Sequence, residues 1–273
     1  MLKTDGHGPL HDLASREGKI GRCRFAACVL LLSSLFVVSP IIPVDLRSDV
    51  PILSQVLPQV EPIKANATCA QGGACVVGDT GPGGGKVFYV SATNFTSTGS
   101  DCNTACKYLE AAPAPVGGDV QRTWATDNDP GALTGNQAAT VPAPGATAQG
   151  IGSGMANTIA IKNQTGNVAA TSAAVYAFDY ENNSKTDWHL PSKNELNELC
   201  KYARTQTTGN TAAQCADTGT LRVGFESAYY WSSSEIVPFL SLAWPQHFGS
   251  GIQGFADDRK FDPNKVRPVR AFG

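Results

Sequence analysis

Charge is scarce in this sequence. Aspartate, glutamate, lysine and arginine supply 16% of the 273 residues, and the formal net charge is -2. A chain so balanced has no general attraction for a phosphate backbone. No stretch interleaves basic with aromatic residues, so nucleic acid is excluded as a partner. Histidine is scarcer still, at 4. His7 and His11 precede the first apolar run, which leaves His189 and His247, too few for a multi-histidine metal centre. Hydrolase and nucleotide signatures are also missing. Ser232, Ser233 and Ser234 follow three aromatic residues at a strand end, outside any Gly-x-Ser-x-Gly elbow. Their hydroxyls are expected to bond nearby backbone. The glycine run 78–85 leads into Lys86-Val87, a strand start, whereas a phosphate loop needs Lys-Ser/Thr and a helix. A flexible turn is the expectation there. Long helical patterns are lacking too: 28 Gly and 17 Pro cut the chain into short elements and exclude a helical bundle.

What is present begins at the amino terminus. Residues 1–24 carry Lys3, Arg16, Lys19, Arg22 and Arg24, and Phe25–Val44 is a run of twenty residues without a charge. At about 1.5 Å per residue such a helix spans roughly 30 Å, a bilayer's hydrocarbon thickness. The basic flank keeps residues 1–24 in the cytoplasm and sends the rest across. Both a cleaved signal peptide and an uncleaved anchor fit, so the membrane is an expected partner through Phe25–Val44. Residues 45–67 hold Pro51, Pro58 and Pro62 and are expected to form an extended stalk. Residues 68–273 remain as the extracytoplasmic domain, membrane-anchored or secreted.

Of the 8 cysteines, Cys23 and Cys28 precede or lie in the apolar segment. The other six fall into three local couples, and the simplest pairing is Cys69–Cys75, Cys102–Cys106 and Cys200–Cys215. The helix expectation is clearest at 193–203, where Ser192 and Glu195 form a capping box and Leu196, Leu199, Cys200 and Ala203 share a face. A helical stretch over 156–178, broken near Gly166, precedes it. Residues 117–154 should be mostly loop. Strands are expected at 86–90, 228–232, 240–248 and 265–272.

Seven segments carry a resemblance when taken in order: 78–89 (GDTGPGGGKVFY), 108–113 (YLEAAP), 154–158 (GMANT), 187–196 (DWHLPSKNEL), 230–235 (YWSSSE), 243–248 (AWPQHF) and 266–272 (VRPVRAF). Together they resemble the Lcl C-terminal-like domains of bacterial surface proteins, over roughly Gly78 to Phe272. The resemblance implies an α+β, C-type-lectin-like domain with short irregular antiparallel strands, two or three helices and long loops. It also implies a non-enzymatic surface or secreted module that binds glycan or protein. An enzyme related to the formylglycine-generating group and a structural envelope module are the alternatives. The calcium-lectin motifs Glu-Pro-Asn and Trp-Asn-Asp are absent, as is the paired thiol site of the formylglycine enzymes.

The candidate ligand-binding residues are Tyr230, Trp231, Glu235, Trp244, Gln246, His247 and Gln253, aromatic rings with polar groups able to stack on and hydrogen-bond a sugar. A core role is the competing reading, above all for Trp231 and Trp244. No catalytic or metal residue is assigned, and no cofactor is expected. Calcium has one weak candidate, the oxygens of Asp127, Asn128 and Asp129, where a loop turn is favoured. Arg259, Lys260, Lys265, Arg267 and Arg270 are the basic cluster of the domain; surface ion pairs are expected, with a sulfated polysaccharide as the alternative.

Overall fold

Glycine- and proline-rich connections leave room only for short strands, and eight of them assemble into two four-stranded sheets. The computed structural model describes residues 67–129, 135–254 and 258–273. The 1–24 tail, Phe25–Val44, nearly all of the 45–67 stalk, Cys23 and Cys28 lie outside the described residues. A 3-10 turn at Cys69–Gln71 opens the chain order. It continues with β1 (Lys86–Phe95), β2 (Cys106–Ala111), β3 (Gln121–Arg122), α1 (Gly154–Lys162), α2 (Ala173–Phe178) and β4 (Trp188–His189). Then come α3 (Lys193–Ala203), β5 (Tyr229–Glu235), β6 (Ala243–His247), β7 (Asn264–Lys265) and β8 (Val269–Phe272). The first sheet runs β1-β2-β8-β4 and is antiparallel throughout. The second runs β3-β7-β5-β6, with β5 and β7 parallel. The expected α+β class is observed. No helix among the described residues is long and apolar enough to cross a membrane.

Helix α3 starts where the capping box places it. Ser192 Oγ accepts from the Glu195 N–H at 3.3 Å, and Glu195 Oε2 accepts from the Ser192 N–H at 2.8 Å. Leu196, Leu199, Cys200 and Ala203 pack with Phe88 and Leu109 of the first sheet and Tyr230 of the second. The polar face is buried as well. Lys201 pairs with Glu198 and donates to Asn210 O at 2.6 Å, and the Gly209 N–H donates to Glu198 Oε2 at 2.7 Å. The 205–215 loop thus wraps the side of α3 that periodicity alone assigns to solvent.

All three expected disulfides close, with Cα–Cα distances of 4.8 Å for Cys69–Cys75, 4.9 Å for Cys102–Cys106 and 5.9 Å for Cys200–Cys215. The last ties the wrapping loop to α3 across 15 residues. A Cys200→Ser/Cys215→Ser variant should lose about 3 kcal/mol, the loop-closure value for that span. A urea midpoint unchanged from the parent would rule this out.

Two expectations need correction. The single strand over 265–272 is divided: Val266–Pro268 crosses between the sheets, leaving β7 in one and β8 in the other. Pro268 has no N–H for a ladder, and Arg267 is held by Asp119 through two hydrogen bonds of 2.7 Å. The glycine run is not a loose turn either. The Gly83 and Gly85 N–H groups donate to the buried Glu110 carboxylate at 2.9 and 3.0 Å. A Cβ on Gly81 would lie 2.5 Å from Glu110 Oε2, and one on Gly83 would lie 2.6 Å from the Trp188 ring. The run cradles an anion, and that anion is the protein's own side chain.

Candidate functional site

Alternation along β5 sends Tyr230 and Trp231 to opposite faces of the second sheet, yet both are fully buried. One face meets α3, where Tyr230 stacks on Phe248 with centroids 4.1 Å apart. The other is covered by the segments around Trp124 and Val141 and by α1 and α2, whose side chains pack with Trp231. Tyr230 Oη donates to Asp119 Oδ2 at 2.8 Å; burial first, then the Asp119 charge, raises its pKa above the ordinary phenol value. Trp231 Nε1 donates to Arg122 O at 3.0 Å. Glu235 accepts from Lys260 at 2.6 Å and from the Val141 N–H at 2.9 Å. Gln246 Nε2 donates to Gly251 O at 3.0 Å. These four candidates are internal ties with no face toward solvent.

Trp244, His247 and Gln253 are half-buried, and they do not form one patch. Trp244 lies at the start of α3, with Lys193 Nζ 3.7 Å from its ring centroid. Gln253 Nε2 donates to Lys193 O at 2.9 Å. Burial there lowers the pKa of Lys193. His247 points to the other face of β6 and meets a different neighbour.

The basic cluster is corrected most sharply, since three of its five members are buried. Lys260 reaches Glu235, Ala139 O and Leu240 O, and its pKa falls because burial outweighs the pull of Glu235. Arg267 grips Asp119, and Arg270 bonds Asp187 and Glu110. Lys265 pairs with Glu226 at 2.8 Å, and exposed Arg259 with Asp262 at 3.3 Å. Lys260, Arg267 and Arg270 therefore hold the interior together, while Lys265 and Arg259 make the ion pairs expected nearer the surface, and the five form no basic patch.

The other candidates have local roles. Ser233 Oγ donates to Pro191 O at 3.2 Å and Ser234 Oγ to Ala148 O at 2.7 Å, the backbone duty expected of them. Asn128 Oδ1 accepts from the Asn136 N–H at 2.8 Å and Asp127 Oδ1 from the Asp129 N–H at 3.3 Å, a turn geometry. His189 is buried with Nε2 3.4 Å from Glu195 Oε2, and neither ring nitrogen has a hydrogen-bond partner among the described residues.

An open groove of about 480 Å³ forms where β3, β7 and the end of β5–β6 meet. Tyr229 and His247 face each other across β5 and β6, with ring centroids 4.7 Å apart and planes at 64°. His247 Nδ1 accepts the Ser250 N–H at 3.0 Å, which puts the proton of the neutral ring on Nε2. Gly249 permits this placement, because a Cβ there would lie 2.7 Å from the imidazole. Gln121, Asp262 and Asn264 complete the rim, and Gln121 Nε2 reaches Pro263 O at 3.3 Å. The arrangement offers an aromatic edge, a ring N–H, amides and a carboxylate around one opening, a set suited to hydrogen-bonding and stacking. Gln121, Asp262 and Asn264 have no sequence signal of their own. They converge because β3 pairs with β7 and β7 lies beside β5.

Comparison with curated proteins returns no match. The family model described as the Lcl C-terminal domain matches residues 123–270, more than half of the chain. That span includes the whole rim of the groove except Gln121. The three disulfides agree with the surface or secreted setting the family suggests. By the extent of this match, the chain belongs to the Lcl C-terminal domain family.

Proposed function

We propose that the domain is a non-enzymatic, C-type-lectin-like binding module of the cell surface or of secreted material, and that it takes a neutral glycan in the Tyr229–His247 groove. The observation that carries this reading is the pairing of two half-buried rings at an open groove rimmed by amides and a carboxylate. Sugars present C–H faces that stack on rings and hydroxyls that bond amides. The burial of Lys260, Arg267 and Arg270 argues against recognition of a polyanion by the basic cluster. All six cysteines among the described residues are in disulfides, which counts against thiol chemistry of the formylglycine type.

A glycan array probed at low and high salt tests the reading. Binding is expected to persist at high salt, because no exposed charge cluster supports it. Tyr229→Ala should weaken the strongest hit at least tenfold, about 1.4 kcal/mol. Absence of any hit, or a hit undiminished in Tyr229→Ala, would remove the groove as the site.

A further inference from the structure

A second cavity, sharing no residue with the groove, lies where the chain leaving β2 meets the loop after α3. It encloses about 260 Å³. Its walls are apolar and aromatic: Ala111 and Ala112 at the end of β2, Tyr202 from α3, and Phe225. The loop is fitted closely against the neighbouring chain, since a Cβ on Gly224 would lie 2.8 Å from Ala114 Cβ. Three cations also line the cavity, Lys86, Arg222 and Arg267. Lys86 Nζ donates to Thr80 Oγ1 at 3.0 Å. Arg222 Nε donates to Tyr202 O at 2.7 Å, and its guanidinium lies 4.5 Å from the Tyr202 ring centroid.

Neither Lys86 nor Arg222 forms an ion pair among the described residues. The third cation of the cavity, Arg267, is already neutralised by Asp119. No aspartate or glutamate lines the space among the described residues. Two cations without a carboxylate partner thus line one cavity whose walls, Arg267 apart, are otherwise apolar. Val223, fully exposed, extends the apolar wall to the rim. Water accounts for roughly 30 Å³ per molecule in the liquid, so the space admits a six-membered ring with one substituent.

We infer that this cavity binds a small amphiphilic monoanion, a carboxylate carried on an aromatic or short aliphatic body. The carboxylate meets Arg222 and Lys86, and the body lies against Tyr202, Phe225 and Ala112. A guanidinium held over a ring is pre-oriented for such a group and loses little freedom on binding it.

Saturation-transfer NMR on the full-length chain, with benzoate as the probe and benzamide as its neutral counterpart, tests this. Benzoate should give transfer that falls as salt is raised, and benzamide much less. Arg222→Gln should weaken benzoate at least tenfold and Lys86→Gln about threefold. Val223→Glu alters only an exposed side chain, so it leaves the fold intact while placing a repelling carboxylate at the rim; benzoate transfer should disappear. Tyr229→Ala should leave it unchanged, which separates this cavity from the glycan groove. Equal transfer to benzoate and benzamide, or benzoate binding that survives both Arg222→Gln and Val223→Glu, would overturn the assignment.

Discussion

Replacing Glu110 with alanine is expected to destabilise the domain by about 3–5 kcal/mol, the range for removing one partner of a buried charge network. The carboxylate is fully buried and accepts from the Gly83 and Gly85 N–H groups and from Arg270 at 3.1 Å. Arg270 also bonds Asp187 and joins β8 to both its neighbours, β2 and β4. Without Glu110, two backbone donors and part of a guanidinium are left in the interior with no acceptor. The glycines cannot adapt, because the loop around them is closed by Asn182 Nδ2 bonding Gly83 O at 2.6 Å. A fall in the urea midpoint would report the loss; a change below about 1 kcal/mol would show that Glu110 is not a keystone. The pH profile adds a signed test. Burial is the leading influence on the Glu110 carboxyl and raises its pKa above 4.5, against the pull of the Gly83 N–H and Arg270. A raised folded-state pKa favours the native state most at pH below the unfolded value, and the contribution is lost as pH rises through the folded one. Glu110→Gln should remove that part of the profile while keeping one acceptor, and a profile identical to the parent's would exclude the assignment.

Local chemistry was legible in the sequence, and long-range pairing was not. The capping box at Ser192 and Glu195, the break between α1 and α2, and the three cysteine couples involve residues close in the chain, where a cap or a short covalent loop leaves a spacing to read. Strand β2 went unassigned because Cys106–Ala111 shows no alternation. It lies between β1 and β8 and is buried along most of its length, so both faces tolerate apolar residues, and Glu110 enters only because Arg270 waits across the register. The same double coverage defeated the aromatic set of β5. Alternation predicts that half of such rings face outward, but the second sheet has α3 on one side and, on the other, α1, α2 and the segments around Trp124 and Val141. Charged residues misled for a related reason. Lys260, Arg267 and Arg270 read as surface in a short basic stretch, and their carboxylates come from 25 to 160 residues away.

A fragment limited to residues 123–270, the span that matches the family, is expected not to fold, whereas 67–273 should unfold cooperatively. The shorter piece lacks β1, β2 and the second half of β8, leaving Val269 and Arg270 with only the two-residue strand β4 beside them in the first sheet. It also lacks Phe88 and Leu109, which pack under α3, so Leu196 and Leu199 would face water on one side. Each such side chain loses about 1.5–3 kcal/mol of burial, and several together exceed the usual stability of a domain. Two buried arginines would lose acceptors as well, Arg270 without Glu110 and Arg267 without Asp119. Even β7 would lose its β3 partner, and with it the Gln121 side of the groove. Circular dichroism during urea titration distinguishes the outcomes. A sigmoidal transition for 123–270 with a slope near that of 67–273 would mean that the amino-terminal strands decorate the core; a featureless curve means that they build it.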